Sequence, residues 1–174
     1  CQNIQPIVAK GWDEKIVDVM IEKCKGPLAA VKGVAATYRM TRRPPPDRAS
    51  HFVSTILRPL KEFSAEFVNR TPPSVTGQWK TSIVATISNE YANATRDLLE
   101  TVQKTEAALQ SRRARRAAAG GISDGDKVKL QLYLDYKEFL NAVNDVGVDP
   151  ANCEGINRLR ALTEEGASLM TENK

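Results

Sequence analysis

Residues 79–109 read WKTSIVATISNEYANATRDLLETVQKTEAAL. Within this stretch Trp79, Ile83, Ile87, Tyr91, Ala94, Leu98, Val102 and Leu109 recur at steps of four and three, with Thr105 filling the one gap. That is the repeat of a single helix face. No Pro or Gly interrupts it. The spacing predicts a rod of about 45 Å at 1.5 Å rise per residue. A rod with one apolar stripe is not stable alone, so other helices must lie along it.

The remaining segments are sorted by their breaks. Residues 4–24 carry Ile4, Ile7, Val8, Trp12, Ile16, Val17, Val19, Met20 and Ile21, with Pro6 in a first turn. Asp13 is an alternative cap for a fresh start at Glu14. Gly26-Pro27 is expected to stop this helix and open the next, since Gly suits the end of a helix and Pro its first position. Leu28, Val31, Val34, Ala35 and Tyr38 then form the apolar face of a helix over 27–40. Pro44, Pro45 and Pro46 cannot sit in a helix interior, so 41–50 is an extended connector. It reads as a stiff spacer, with a ligand for an SH3 or WW module as the alternative.

Ser50 is expected to cap a third helix over 51–69, striped by Phe52, Ile56, Leu60, Phe63 and Phe67. Pro59 predicts a kink or a broken first turn within it. Residues 71–77 form a second connector, with Thr76 as the expected cap of the rod. On the rod, Glu100 and Lys104 have the order of a helical ion pair. After a third connector, 112–123, Ser123 and Asp126 have capping-box spacing. Val128, Leu130, Leu132, Leu134 and Tyr136 alternate like a strand, but the helical set Val128, Leu132, Tyr136, Phe139, Val143 and Val146 runs twice as far. Helix is therefore expected, ending at Gly147. Asp149-Pro150 starts the last helix, with Ile156, Leu159, Leu162 and Leu169 inward, and Gly166 and the polar tail imply fraying after about Ser168.

The length of 174 residues suffices for a domain with a true core, and the Ala, Leu, Lys, Glu and Gln content leans all-α. The expectation is one domain over 1–174, an elongated all-α bundle of about five to six helices around a long helix at about 78–112. A chain opening on Cys1 is expected to be part of a longer polypeptide. No run of about 18 apolar residues is present to span a membrane.

Charge is placed unevenly. Residues 111–120 hold four Arg and no acid, whereas 121–174 hold ten acids against six bases. Arg112, Arg113, Arg115 and Arg116 thus form the sharpest basic run. Cations there suit the negative end of a helix. The alternative is a contact for acidic lipid head groups or nucleic acid. A nucleic-acid binder would spread its basic residues along a helix face with aromatics between them, so no nucleic acid is expected.

Chemistry has little to build with. His51 is the one histidine and has no metal-ligand spacing to a Cys, His or acid. Cys1, Cys24 and Cys153 are far apart and read as free thiols. No phosphate-binding glycine motif, nucleophile elbow or zinc-helix motif occurs, and Asp124-Gly125-Asp126 lacks the rest of a calcium loop. The triplets Asn69-Arg70-Thr71 and Asn93-Ala94-Thr95 are taken as chance sequons. No enzyme, cofactor or metal is expected.

Three stretches are informative in combination. They are Tyr38-Arg39-Met40-Thr41 before the Pro-rich connector, Phe52-Val53-Ser54-Thr55-Ile56-Leu57-Arg58-Pro59-Leu60, and Ser123-Asp124-Gly125-Asp126-Lys127-Val128-Lys129-Leu130-Gln131-Leu132. In that order the chain resembles the C-terminal region of the subunit 2 family of the conserved oligomeric Golgi complex, from about Trp12 to Leu169. Lys129 stands where the family pattern has Arg. The resemblance implies rods of stacked helices, peripheral placement on the cytoplasmic face of Golgi membranes, and tethering of retrograde vesicles that keeps glycosylation enzymes in place. The partners it implies are the other subunits of the complex, SNAREs and Rab-type GTPases.

Overall fold

A computed structural model of the chain describes residues 4–39, 43–67, 70–113 and 122–172. The side chains of residues 4–10, Trp12, 109–113, 171 and 172 lie outside that description. Among the described residues there are helices and connectors and no strand.

The chain opens with α1, Ile4–Lys25. Gly26-Pro27 ends this α-helix, as expected, without unwinding the chain. The backbone stays right-handed at Lys25 (φ −72°, ψ −32°) and tightens into a 3-10 segment, Gly26–Gly33, before α2, Val34–Tyr38. Pro27 has no N–H for the i→i−4 ladder, so the chain loses that bond yet keeps winding. Met20, Cys24, Leu28, Val31, Val34 and Tyr38 are buried along the run, whereas Val19 is 43% exposed.

The expected helix over 51–69 is broken, as Pro59 implies. α3 covers His51–Ile56 and α4 covers Arg58–Phe67, with Leu57 between them at φ −95°, ψ 4°. Pro59 is the second residue of α4, where a missing N–H leaves no bond unmade. Phe52 and Phe63 pack at the edge of the core, and Val53 and Leu57 lie within it.

The long helix α5 runs Pro73–Arg113 without a break at Ala94. At 41 residues it is about 61 Å long. It starts earlier than position 78, so residues 73–77 belong to the helix and the connector before it is shorter than 71–77. Pro72 supplies the starting carbonyl, which accepts the N–H groups of Val75 and Thr76 (both 3.1 Å), and Pro73 takes the first helical position. Thr76 is therefore not the cap; its Oγ1 donates back to the Pro72 carbonyl at 3.2 Å. At the other end the helix closes on Arg113, one residue past the expected 112. Glu100 pairs with Arg96 at 4.0 Å rather than forming the expected pair with Lys104.

Helix α6, Asp124–Asp145, begins as the sequence implies: Ser123 Oγ accepts the Asp126 amide at 3.0 Å. The acidic partner of the cap is Glu106 from α5, not Asp126; Ser123 Oγ donates to its Oε1 at 3.0 Å. Gly147, at φ 78°, ends the helix. Its amide reaches the Asn144 carbonyl (2.9 Å) and the Val148 amide reaches that of Val143 (3.3 Å), the two bonds of a Schellman stop. Asp149-Pro150 opens a single 3-10 turn, Pro150–Asn152, rather than the last helix. Helix α7, Glu154–Glu172, follows and continues past Ser168.

Counting the α1–3-10–α2 run and the broken α3–α4 pair once each, five helical rods share one core. Helix α7 lies against both α5 and α6, α1 and the 3-10 segment lie on α5, and α2 and α3 lie on α6. The aromatic centre is Tyr91 of α5. It meets Phe139 of α6 edge to face (5.3 Å, 89°) and Phe52 of α3 (6.5 Å, 76°).

The rod has a second buried stripe. Val84, Ser88, Ala92 and Thr95 are buried beside the bulky set Ile83, Ile87, Tyr91, Leu98 and Val102. A Cβ added at Gly155 would overlap the backbone of Ser88 and Asn89, so α7 touches α5 main chain to main chain there. Arg158 completes the contact by donating to Asn89 Oδ1 (3.4 Å) and Asn93 Oδ1 (2.7 Å). Gly166 likewise packs on the Lys129 carbonyl of α6; it marks close approach, not fraying.

Candidate interaction surfaces and a buried polar clamp

The arginine run is only partly placed. Arg112 and Arg113 are the last residues of α5, and Arg115 and Arg116 lie outside the described residues. His51, on the first turn of α3, is exposed. Cys24 and Cys153 are free and buried. Burial pushes the Cys24 thiol up to about 11, against the opposing effect of the Leu60 backbone, so the reactive thiolate is disfavoured. Among the described residues no three His, Cys, Asp or Glu side chains gather to hold a metal ion. Among them, too, no helix is long and apolar enough to cross a membrane.

Among the described residues, Val19 and Met170 are the large hydrophobic residues exposed at the surface. Ion pairs tie neighbouring rods at their edges. Lys61 meets Asp145 at 2.7 Å, Lys129 meets Glu165 at 2.8 Å and Lys25 meets Glu90 at 3.6 Å. The hydrogen bond to Glu165, more than the opposing burial, raises the Lys129 ammonium above its ordinary value. Each such exposed pair contributes at most about 1 kcal/mol.

The polar arrangement that stands out is internal, on α6. Gln131 and Asp135 are one turn apart and are 7% and 0% exposed. Tyr38 Oη donates to Gln131 Oε1 at 2.6 Å. Gln131 Nε2 donates to the Arg48 carbonyl (3.0 Å) and to Asp135 Oδ1 (2.9 Å). The Ser50 amide donates to Asp135 Oδ1 at 2.6 Å, and Ser50 Oγ donates to Oδ2 at 2.9 Å. Ser50 thus occupies the cap position of α3, but its hydroxyl is turned to Asp135 and makes no cap bond. The two chain segments flanking the prolines are both fastened to one pair of buried side chains.

Sequence reasoning misses this clamp. The signal for it is Gln131 and Asp135, spaced i,i+4 inside the apolar set of α6. Burial raises the Asp135 carboxyl above its ordinary range, against the three hydrogen bonds that favour its charged form. The same carboxylate, after burial, raises the Tyr38 and Tyr91 phenols. A shallow groove beside the clamp is lined by Tyr38, Arg43, Pro46, His51, Gln131 and Glu138. The arrangement holds chain segments together.

Residues 1–136 match the family described as COG complex component, COG2, C-terminal. Three curated relatives are each named conserved oligomeric Golgi complex subunit 2. The Arabidopsis thaliana protein is 31% identical over 164 residues, covering 87% of this chain and 21% of the relative. The Dictyostelium discoideum protein is 27% identical over 164 residues, covering 89% and 18%. The Homo sapiens protein is 26% identical over 156 residues, covering 85% and 21%. The chain therefore spans about a fifth of the length of these relatives. No solved structure matches it.

Proposed function

Since this chain belongs to the COG2 C-terminal family, we propose that it forms part of a subunit of a Golgi vesicle-tethering complex and works by protein–protein assembly. The observation that carries this reading is the family match over residues 1–136. The fold is compatible with it: among the described residues five helical rods share one core, and the buried polar clamp holds the chain together. The partners in this reading are the other subunits of the complex, and beyond them SNAREs and Rab-type GTPases. The place of action is the cytoplasmic face of Golgi membranes, reached peripherally through the complex. The outcome is intra-Golgi retrograde transport and retention of glycosylation enzymes, with no catalytic step and no cofactor.

Residues 1–174 act in this proposal as a single helical unit, and Arg112 and Arg113 at the end of the rod, with Arg115 and Arg116 after them in the sequence, contact an acidic partner surface. Affinity purification of the tagged chain from cells tests the assembly reading. Recovery of sibling tether subunits is expected. Recovery of a folded chain with none of them would overturn it. Changing the four arginines to Ala is expected to leave the subunit set intact and to remove the most salt-sensitive partner.

A further inference from the structure

The connector between α2 and α3 is anchored at both ends. Tyr38 on one side, and Arg48 and Ser50 on the other, converge on Gln131 and Asp135. Arg43, Pro44, Pro45, Asp47 and Arg48 between the anchors are exposed. Asp135 is fully buried, and among the described residues no cation forms an ion pair with it. Its charge is met only by dipoles: the Ser50 N–H, the Ser50 hydroxyl and the Gln131 amide. A further negative charge at the Ser50 oxygen would stand against the Asp135 carboxylate, and the cations nearby, Arg43 and Arg48 of the adjoining groove, belong to the connector and not to α6.

Ser50 also has the local form of a kinase substrate. Its backbone is extended (φ −66°, ψ 140°) and it ends a segment, 43–50, without regular structure. Arg48 stands two residues ahead, its side chain 89% exposed, where the acidic subsites of basophilic kinases read an arginine. Ser50 is half-buried, and the few hydrogen bonds that hold it permit local opening without global unfolding. By contrast, Ser54 lies within α3, and its hydroxyl is bonded to the His51 carbonyl at 2.9 Å.

We propose that Ser50 is a phosphorylation site and that its modification undocks the proline-rich connector from α6. The γ-phosphoryl group of ATP is transferred to Ser50 Oγ, the hydroxyl proton passes to the base of a basophilic serine/threonine kinase, and ADP leaves. The oxygen that donated to Asp135 Oδ2 at 2.9 Å becomes an ester oxygen with no proton. A group of charge about −2 then stands against a buried carboxylate. Attraction becomes repulsion at the joint that closes the connector. Its release uncovers Gln131 and Asp135 beside Tyr38, converting an internal clamp into accessible surface. The proposal is independent of the tethering reading, and its test needs no other subunit.

The test treats the full chain with a basophilic serine/threonine kinase and ATP, maps phosphate by mass spectrometry and follows amide hydrogen exchange. Phosphate is expected at Ser50, absent in Ser50→Ala and reduced about tenfold in Arg48→Ala. Exchange over residues 47–51 is expected to rise about tenfold on phosphorylation, with α7 unchanged. In Asp135→Asn, which keeps the clamp's shape without its charge, the rise is expected to be clearly smaller. Failure to find phosphate at Ser50, exchange unaffected by it, or an undiminished rise in Asp135→Asn would each overturn the proposal.

Discussion

Asp135 Oδ1 accepts the Ser50 amide at 2.6 Å, so a carboxylate in the middle of one helix holds the chain just before another begins. The bond spans 85 residues of sequence and fastens the connector that three prolines keep out of any helix. Replacing Asp135 by Ala strips acceptors from the Ser50 amide and hydroxyl and from Gln131. A loss of about 2–4 kcal/mol is expected in denaturant unfolding. Asp135→Asn keeps an acceptor for the amides and offers Ser50 Oγ a donor, so it is expected to cost less than about 1 kcal/mol.

The two variants also separate by pH. Burial holds the Asp135 carboxyl above its ordinary 3.8 in the folded chain. A raised carboxyl binds its proton more tightly when folded than when unfolded. Its favourable contribution is therefore present in full below the unfolded value and is lost as pH rises through the folded one. Wild type should lose stability relative to Asp135→Asn on going from the unfolded value upward through that window, and the difference should level off above it. Paired unfolding curves across acidic pH provide the check; a difference that is flat with pH would refute the assignment.

Gly155 and Gly33 predict opposite outcomes for the same substitution. A Cβ at Gly155 meets the main chain of Ser88 and Asn89, which cannot rotate away, so α7 must shift off α5. Gly155→Ala is expected to cost about 2–3 kcal/mol, as overpacking does. At Gly33 the added Cβ meets nothing within 4 Å, and the backbone is already right-handed at φ −77°. Gly33→Ala should therefore gain about 0.5–1 kcal/mol. Thermal melts of the two variants beside wild type decide both.

Thr95 is 1% exposed on the second stripe of α5, and among the described residues its hydroxyl has no hydrogen-bond partner. Thr95→Val keeps the shape and removes a buried polar group. A gain of about 1 kcal/mol is expected, readable as a shift in denaturant midpoint at unchanged m-value. A loss would mean that the hydroxyl is satisfied in solution.

Gly147 carries the left-handed turn that ends α6, at φ 78°. Space is not the obstacle there, since nothing lies within 4 Å of an added Cβ. Gly147→Ala is expected to cost about 1–2 kcal/mol from backbone strain alone, and Gly147→Asn less, because Asn tolerates that conformation better.

Several of these features are legible in the sequence. The stripe Ile83, Ile87, Tyr91, Leu98 and Val102 is buried as its period implies, and Ser123 and Gly147 bound α6 as their chemistry implies. Such signals are local: a cap or a stop is decided by bonds within one or two turns. Local reading fails where two local rules compete. Gly26-Pro27 stops the α-helix as its chemistry implies, but what it opens is a 3-10 segment and not the expected α-helix. Thr76 has cap chemistry, but Pro72-Pro73 starts the helix a turn earlier. Gly166 has the chemistry of a weak point in a helix, but the Lys129 carbonyl packed against it makes it a point of contact.

What the sequence determined by itself is the all-α class, the unbroken long helix and the absence of a recognisable chemical motif, because periodicity, capping and composition are properties of contiguous residues. Tertiary structure decided the rest. It chose which second face of α5 would be buried, since a small residue such as Ser88 is inward where a glycine on α7, Gly155, comes close enough to use it. It also paired Ser50 with Asp135. Neither residue announces the other: a buried carboxylate is tolerable only when donors arrive from elsewhere in the chain, and which donors arrive is settled by how the rods pack.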